Sequence, residues 1–250
     1  QAAPIAAERG HRVTLFEKRT RLGGLANIAA LPPHKDLYAV LVNRLSERLI
    51  ASGVKVFLGT APSVAELAEL KPDTLIVATG SAPVIPHFCE GIANAVTAED
   101  ILTGKAKAGQ RVLVVGGGMV GSETAEYLAA QGRSVTVVEM LPQLAKDMEW
   151  CARVLLLRRM ASLGINLRPG NEILSIGADN AVTVRNGKGR EETLSGFDTL
   201  VVAVGCRPDN ALFNELSAAL DCPCAAVGDC RKTAKIMDAV HGGFEAALTL

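Results

Sequence analysis

The chain has 250 residues, 49% of them hydrophobic, with 26 Lys plus Arg balanced by 26 Asp plus Glu. That zero net charge excludes the basic field needed to hold nucleic acid or an anionic membrane surface, and no apolar run approaches the roughly 18 residues of a membrane span. A soluble globular protein with one large core or two medium ones is expected, and it is expected to be cytoplasmic because residues 1–11 lack the basic-then-apolar order of a signal peptide.

Residues 1–17 align without gaps on residues 123–139 at an offset of 122, with Ala3, Ala7, Gly10, Val13, Thr14 and Glu17 identical to their counterparts. The glycines matching Gly116, Gly118 and Gly121 would then precede Gln1, so the chain is expected to be an N-terminally truncated fragment of a longer polypeptide. Pro4 predicts a kink or a late helix start. Glu17 ends the first strand, where a carboxylate can accept hydrogen bonds from an adenosine ribose, and Lys18 and Arg19 follow it. Gly23 and Gly24 mark either a plain loop or a close approach of backbone to a ligand. Residues 36–52 have helical period, with Leu37, Leu41, Leu45 and Leu49 expected in the core, and Gly53 stops them. A strand over 54–58, a short helix near 64–70 and a strand over 74–78 come next.

A second repeat matches DTLIVATGSAP (73–83) to DTLVVAVGCRP (198–208) at an offset of 125, so each half ends in a strand, a glycine (Gly80, Gly205) and a proline. Between them, residues 86–110 lose periodicity and read as a connection. Residues 111–139 then hold every part of a dinucleotide-binding βαβ unit in order. Val112 to Val115 are a β-branched, apolar run typical of a strand buried on both faces. Gly116, Gly118 and Gly121 follow in G-x-G-x-x-G spacing: the first for the tight turn, the second for close approach to a pyrophosphate, the third for packing of helix on sheet. Met119 and Val120 open a helix over 120–131, whose unpaired N–H groups and dipole favour an anion. Gly132 stops that helix, and a strand over 134–138 delivers Glu139, 18 residues beyond Gly121. A carboxylate there suits a ribose and repels a 2′-phosphate, which favours NAD over NADP.

A helix over 150–163, a strand over 165–168 and a hairpin around Asn186-Gly187 follow. The last motif ends a short strand at Gly228-Asp229 and starts an amphipathic helix with Ile236, Val240 and Leu248 among its apolar positions. Asp229 can accept from sugar-like hydroxyls, while His241 within that helix reads as structural. The six cysteines, Cys89, Cys151, Cys206, Cys222, Cys224 and Cys230, show no C-x-x-C and no zinc or iron–sulfur spacing. Cys222-Pro-Cys224 reads as two loop thiols.

Over essentially its whole length the chain resembles the two-dinucleotide-binding flavoprotein fold, an α/β class with two Rossmann-like, three-layer domains, the NAD domain inserted into the FAD domain. More narrowly, VTLFEKRTRLGG, TLIVATGSAPVIP and VGDCRKTAKIMDAVHGGFEAAL look like the C-terminal part of NADH:flavin oxidoreductases of the 2,4-dienoyl-CoA reductase and trimethylamine dehydrogenase type. The resemblance implies an FAD domain over 1–88, a connection over 89–109, an NAD domain over 110–204 and the rest of the FAD domain over 205–250. It also implies an Old Yellow Enzyme-like barrel, N-terminal in the parent protein, carrying FMN and an iron–sulfur cluster. Hydride would pass from NADH to FAD, single electrons through the cluster to FMN, and an activated double bond would be reduced on the barrel. Glu17 and Lys18 would meet the FAD adenosine, Gly24 its pyrophosphate region, Thr79 and Gly80 the adenine side, and Gly228 and Asp229 the ribityl-phosphate side. Gly116, Gly118, Met119, Val120, Gly121, Glu139 and Gly205 would hold NAD. No catalytic side chain is expected, because the chemistry belongs to the cofactors. The family's first glycine turn, the barrel and its cluster cysteines are absent here, so the isolated chain is expected to be inactive. An alternative is a structural module holding only ADP, as in the amine-dehydrogenase branch. A thioredoxin-reductase-like enzyme would need a dithiol that the sequence lacks.

Overall fold

The computed structural model describes residues 1–177 and 179–250. The chain divides into two units, one formed by Gln1–Ala30, Lys35–Ala82 and Cys206–Leu250, the other by Leu31–His34 and Pro83–Gly205.

The second unit is built on a five-stranded sheet in the order Ala95–Thr97, Thr199–Val202, Arg111–Val115, Ser134–Glu139, Asn166–Pro169. Every neighbouring pair is parallel. Arg111–Val115 is central, and Val112, Leu113 and Val114 are completely buried, as an unbroken β-branched run requires. Alternation along that strand sends Val112 and Val114 to one face, where they pack with Ala125, Leu128, Leu156 and Met160 of the helices Met119–Ala130 and Trp150–Ser162. Leu113 and Val115 face the other way, against Val182 and Val184. Those two belong to an antiparallel meander of Asn171–Ile176, Val182–Asn186 and Glu191–Leu194. The layers are therefore helices, parallel sheet and antiparallel sheet, and each fully buried Val or Leu contributes roughly 1.5–3 kcal/mol. The stretch expected to be a connection contributes an edge strand, Ala95–Thr97, and a helix, Ala98–Thr103, whose capping box pairs Thr97 with Asp100. Elements this short fall below the length at which periodicity shows.

In the first unit, Thr14–Glu17 pairs parallel with Lys55–Leu58, and Leu75–Val77 pairs parallel with Cys224–Ala226. Ser81–Pro83 neighbours Cys206–Pro208. The helix Ala2–Glu8 has Pro4 in its first turn, where no intrahelical partner for an N–H is lost. It lies on Ile236–Leu248 at Gly243, where an added Cβ would sit 3.4 Å from the Ala2 nitrogen. Glu8 holds it to Asp36–Ala51 through a two-pronged bond from Arg48, 3.0 and 2.8 Å. The expected leucine stripe of Asp36–Ala51 needs correction: Leu37 is 80% exposed, Leu41 and Leu45 are half-buried, and the buried residues are Val42 and Leu49. Four-residue spacing advances about 40° per step at 3.6 residues per turn, so the row turns roughly 120° from Leu49 back to Leu37, and Leu37 falls outside the buried stripe. Leu248 of the last helix is likewise exposed, its buried face being Gly243 and Ala247.

Candidate nucleotide-binding sites

In the second unit, Val115 leads into a turn whose glycines differ in what they require. Gly116 has φ 96°, and an added Cβ would lie 2.5 Å from the Ala203 carbonyl oxygen. At Gly121 it would lie 1.9 Å from the Gly116 oxygen and 3.2 Å from the Ala203 Cβ. Both positions are glycine for the protein's own packing. Gly118 is different. Its φ of −63° and ψ of −172° suit any residue, and the only atoms near an added Cβ are the Asp147 carboxylate oxygens at 3.8 Å. Nothing in the fold demands glycine there, so the bare backbone at Gly118, met only by the exposed Asp147 carboxylate among the described residues, fits a group that must touch the backbone, as a pyrophosphate would.

The helix beyond, Met119–Ala130, presents its amino end at that backbone, with Val120 half exposed. Glu139 ends the neighbouring strand, only 8% exposed, and its carboxylate accepts from the Gly117 N–H at 2.6 Å and from the Leu141 N–H at 2.7 Å. A carboxylate has roughly four acceptor sites, so capacity for ribose hydroxyls is left. Gly205, φ 107°, lies just past Thr199–Val202 on the same carboxyl edge of the sheet.

Sequence reasoning missed the segment after Glu139. Leu144 and Ala145 are buried against the glycine turn, the Ala145 N–H donates to the Gly117 oxygen at 2.7 Å, and Asp147 accepts from the Met119 N–H at 2.8 Å. No spacing rule points to an aspartate 28 residues from the amide it holds.

In the first unit, Glu17 repeats the geometry of Glu139. It accepts from the amide two residues on, Arg19, at 2.8 Å, so the offset of 122 is a repeat of structure as well as of letters. Lys18 Nζ lies 3.9 Å from Asp209. The Asp209 N–H donates to the Gly80 oxygen at 3.0 Å, and the Thr79 hydroxyl donates to the Asp209 oxygen. Gly80 has φ 84° and open space over it. Ser81 Oγ donates to Asp229 Oδ2 at 3.3 Å, while Asp229 Oδ1 accepts from the Ala234 N–H at 3.0 Å. Gly228, φ 62°, sits beside Ala239. Lys18, Thr79, Gly80 and Asp229 are thus gathered around Asp209 and Ser81, at the carboxyl ends of paired parallel strands. Gly24, φ 48°, opens the helix Gly24–Ala29 and has nothing within 4 Å of an added Cβ.

Among the described residues, no group of three or more His, Cys, Asp or Glu side chains could hold a metal ion, and no helix is long and apolar enough to cross a membrane. Cys222 and Cys224 are not joined by a disulfide. Burial pushes the Cys224 thiol up, and the neighbouring Cys222 and Cys230 thiols add to the rise against an opposing Ser217 hydrogen bond, the reverse of an activated cysteine.

The chain is 38% identical over 256 residues to an NADH oxidase of Thermoanaerobacter brockii, matching 99% of this chain and 38% of that protein. It is also 38% identical over 256 residues to a bilirubin reductase of Mediterraneibacter gnavus, 100% of this chain and 39% of that protein. It therefore spans about two fifths of the curated relatives it matches. Among solved structures, a 2-naphthoyl-CoA reductase in complex with 2-naphthoyl-CoA superposes on 100% of this chain and 38% of its own, with a TM-score of 0.93 at 30% identity. Two strand-end acids in the same geometry, a glycine turn that leaves the Gly118 backbone bare and a family match covering residues 1–227 agree: the chain belongs to the pyridine nucleotide-disulphide oxidoreductase family.

Proposed function

We propose that the chain is the nucleotide-holding part of an NADH-dependent flavin oxidoreductase, with NADH on the glycine turn of the second unit and FAD in the first. Membership of the family implies FAD and NAD(P) as cofactors. The residues present fit an NAD at the bare backbone of Gly118, beside the Met119–Ala130 amino end and Glu139. They fit the adenosine end of an FAD at Glu17, with Gly80 leaving backbone uncovered. When bound, the nicotinamide supplies a hydride and the flavin accepts it.

The chain's own part is binding and orientation. Gly118 lets the backbone come within contact of a diphosphate, the Val120 end of the helix offers amide donors, and Glu139 takes ribose hydroxyls while repelling a 2′-phosphate. Gly116 and Gly121 hold the turn closed against Ala203 so that those donors stay aimed. No side-chain acid, base or nucleophile is assigned.

The electron acceptor is proposed to be an activated double bond, reduced on an FMN- and iron–sulfur-bearing barrel of the parent protein. Support comes from the sequence resemblance and from relatives named for the reduction of bilirubin and of 2-naphthoyl-CoA, both conjugated molecules. The bare backbone of Gly118 carries the nucleotide reading. Its test is titration of the purified protein with NADH and NADPH. Tighter binding of NADH is expected. A preference for NADPH, or no binding of either, would overturn the reading.

A further inference from the structure

We propose that Asp147 is a tethered anion that occupies the diphosphate position of the second unit and is displaced when a dinucleotide binds. This rests on the nucleotide reading of the glycine turn given above. The Met119 N–H is one of the amides at the amino end of the helix Met119–Ala130, donors that suit an incoming phosphate, and it is already bonded to Asp147 Oδ1 at 2.8 Å. Both oxygens of the same carboxylate are the nearest atoms to the missing Cβ of Gly118. A single side chain thus lies over Gly118 and takes one of the helix-end donors open to a pyrophosphate, and it carries the same sign of charge.

The backbone around Asp147 is anchored. Ala145 is completely buried with φ 48°, a region that residues with a Cβ seldom adopt, and its N–H is tied to the Gly117 oxygen. Leu144 packs against Gly117, and its carbonyl accepts from Arg153 Nε at 2.7 Å. The Met148 N–H returns to the Ala145 oxygen at 3.0 Å. Asp147 itself is exposed, between exposed Lys146 and half-buried Met148. Its side chain can therefore swing into solvent by rotation about its own bonds while the anchors stay in place. A tethered competitor acts at an effective concentration on the order of millimolar or above, so it lowers the apparent affinity for any ligand that needs the same amide.

The test compares Asp147→Asn and Asp147→Ala with the unaltered chain, titrating each with NADH, inorganic pyrophosphate and adenosine, and following the Met119 amide by nuclear magnetic resonance. Asp147→Asn keeps an acceptor and removes the charge, whereas Asp147→Ala removes both. The expected result is binding of NADH and pyrophosphate tighter by about tenfold in Asp147→Ala and less in Asp147→Asn, the size of one charge-assisted hydrogen bond. Adenosine affinity is expected to be unchanged, and the Met119 resonance of the unaltered chain to move on addition of NADH. Equal or weaker NADH binding in both variants would overturn the proposal while leaving the nucleotide site standing. No NADH binding by any of the three proteins would overturn the nucleotide reading and this proposal with it.

Discussion

Alanine at Gly118 and alanine at Gly121 are expected to act in opposite directions on stability, and the contrast separates what the turn does for the fold from what it does for a ligand. At Gly121 the new methyl would sit 1.9 Å from the Gly116 oxygen and 3.0 Å from its carbonyl carbon, with the Ala203 Cβ 3.2 Å away. All three belong to backbone or to a side chain with no freedom, so relief requires the helix Met119–Ala130 to leave the sheet. Overpacking of this kind costs about 3 kcal/mol or more. A domain of this size loses roughly 2–4 °C per kcal/mol, so a fall of about 6–12 °C in the transition of the second unit is expected by calorimetry. At Gly118 the φ of −63° is one that alanine adopts freely, and the nearest atoms are 3.8 Å away. Removing glycine's excess freedom in the unfolded chain stabilises by about 0.4–1 kcal/mol. Melting should therefore rise slightly, while NADH affinity, followed by nicotinamide fluorescence, falls by about tenfold or more because the methyl stands where the diphosphate must approach. Normal NADH affinity in a stable Gly118→Ala protein would refute the close-approach reasoning.

Glu139→Gln should weaken NADH binding about tenfold by removing a charged acceptor and narrow the difference between NADH and NADPH, measured as the ratio of their dissociation constants; an unchanged ratio would disconnect Glu139 from cofactor choice. Arg159→Met should destabilise the second unit by about 3 kcal/mol, because Glu126, whose side chain is 3% exposed, loses its partner. Adding Glu126→Gln should restore much of that in denaturant titrations. Burial pushes the Cys89 thiol up to about 11 from an ordinary 9.0. Above pH 9 the unfolded chain releases a proton that the folded chain keeps, so this group's contribution is intact below pH 9 and lost toward pH 11, a decline on the order of 2 kcal/mol. Thiolate absorbance should accordingly show a component titrating near pH 11 that Cys89→Ala removes.

The parts readable in the sequence are those in which one short stretch carries its own reasons. The run Val112 to Val115 is typical of a strand buried on both faces, and the spacing of Gly116, Gly118 and Gly121 after it marks the turn. The Glu17 and Glu139 repeat could be seen because both ends of each strand are spelled alike. Asp147, Asp209 and Ser81 could not be found, since their partners, Met119, Lys18 and Asp229, lie 28, 191 and 148 residues away and no periodicity links them. Leu37 reads as core by its four-residue spacing and is solvent-facing in the fold. The strand Ala95–Thr97 has three residues, too few to alternate.

The Val84 N–H donates to the Gly205 oxygen at 3.0 Å, so the two ends of the 83–205 stretch leave their unit side by side. A segment of over a hundred residues with adjacent termini behaves as a cassette: it can be grafted into, or lifted out of, a surface hairpin without stretching the host backbone. Domain shuffling needs no more than such a doorway, and a transplant of residues 83–205 between the two arms of an unrelated hairpin would carry its glycine turn along intact.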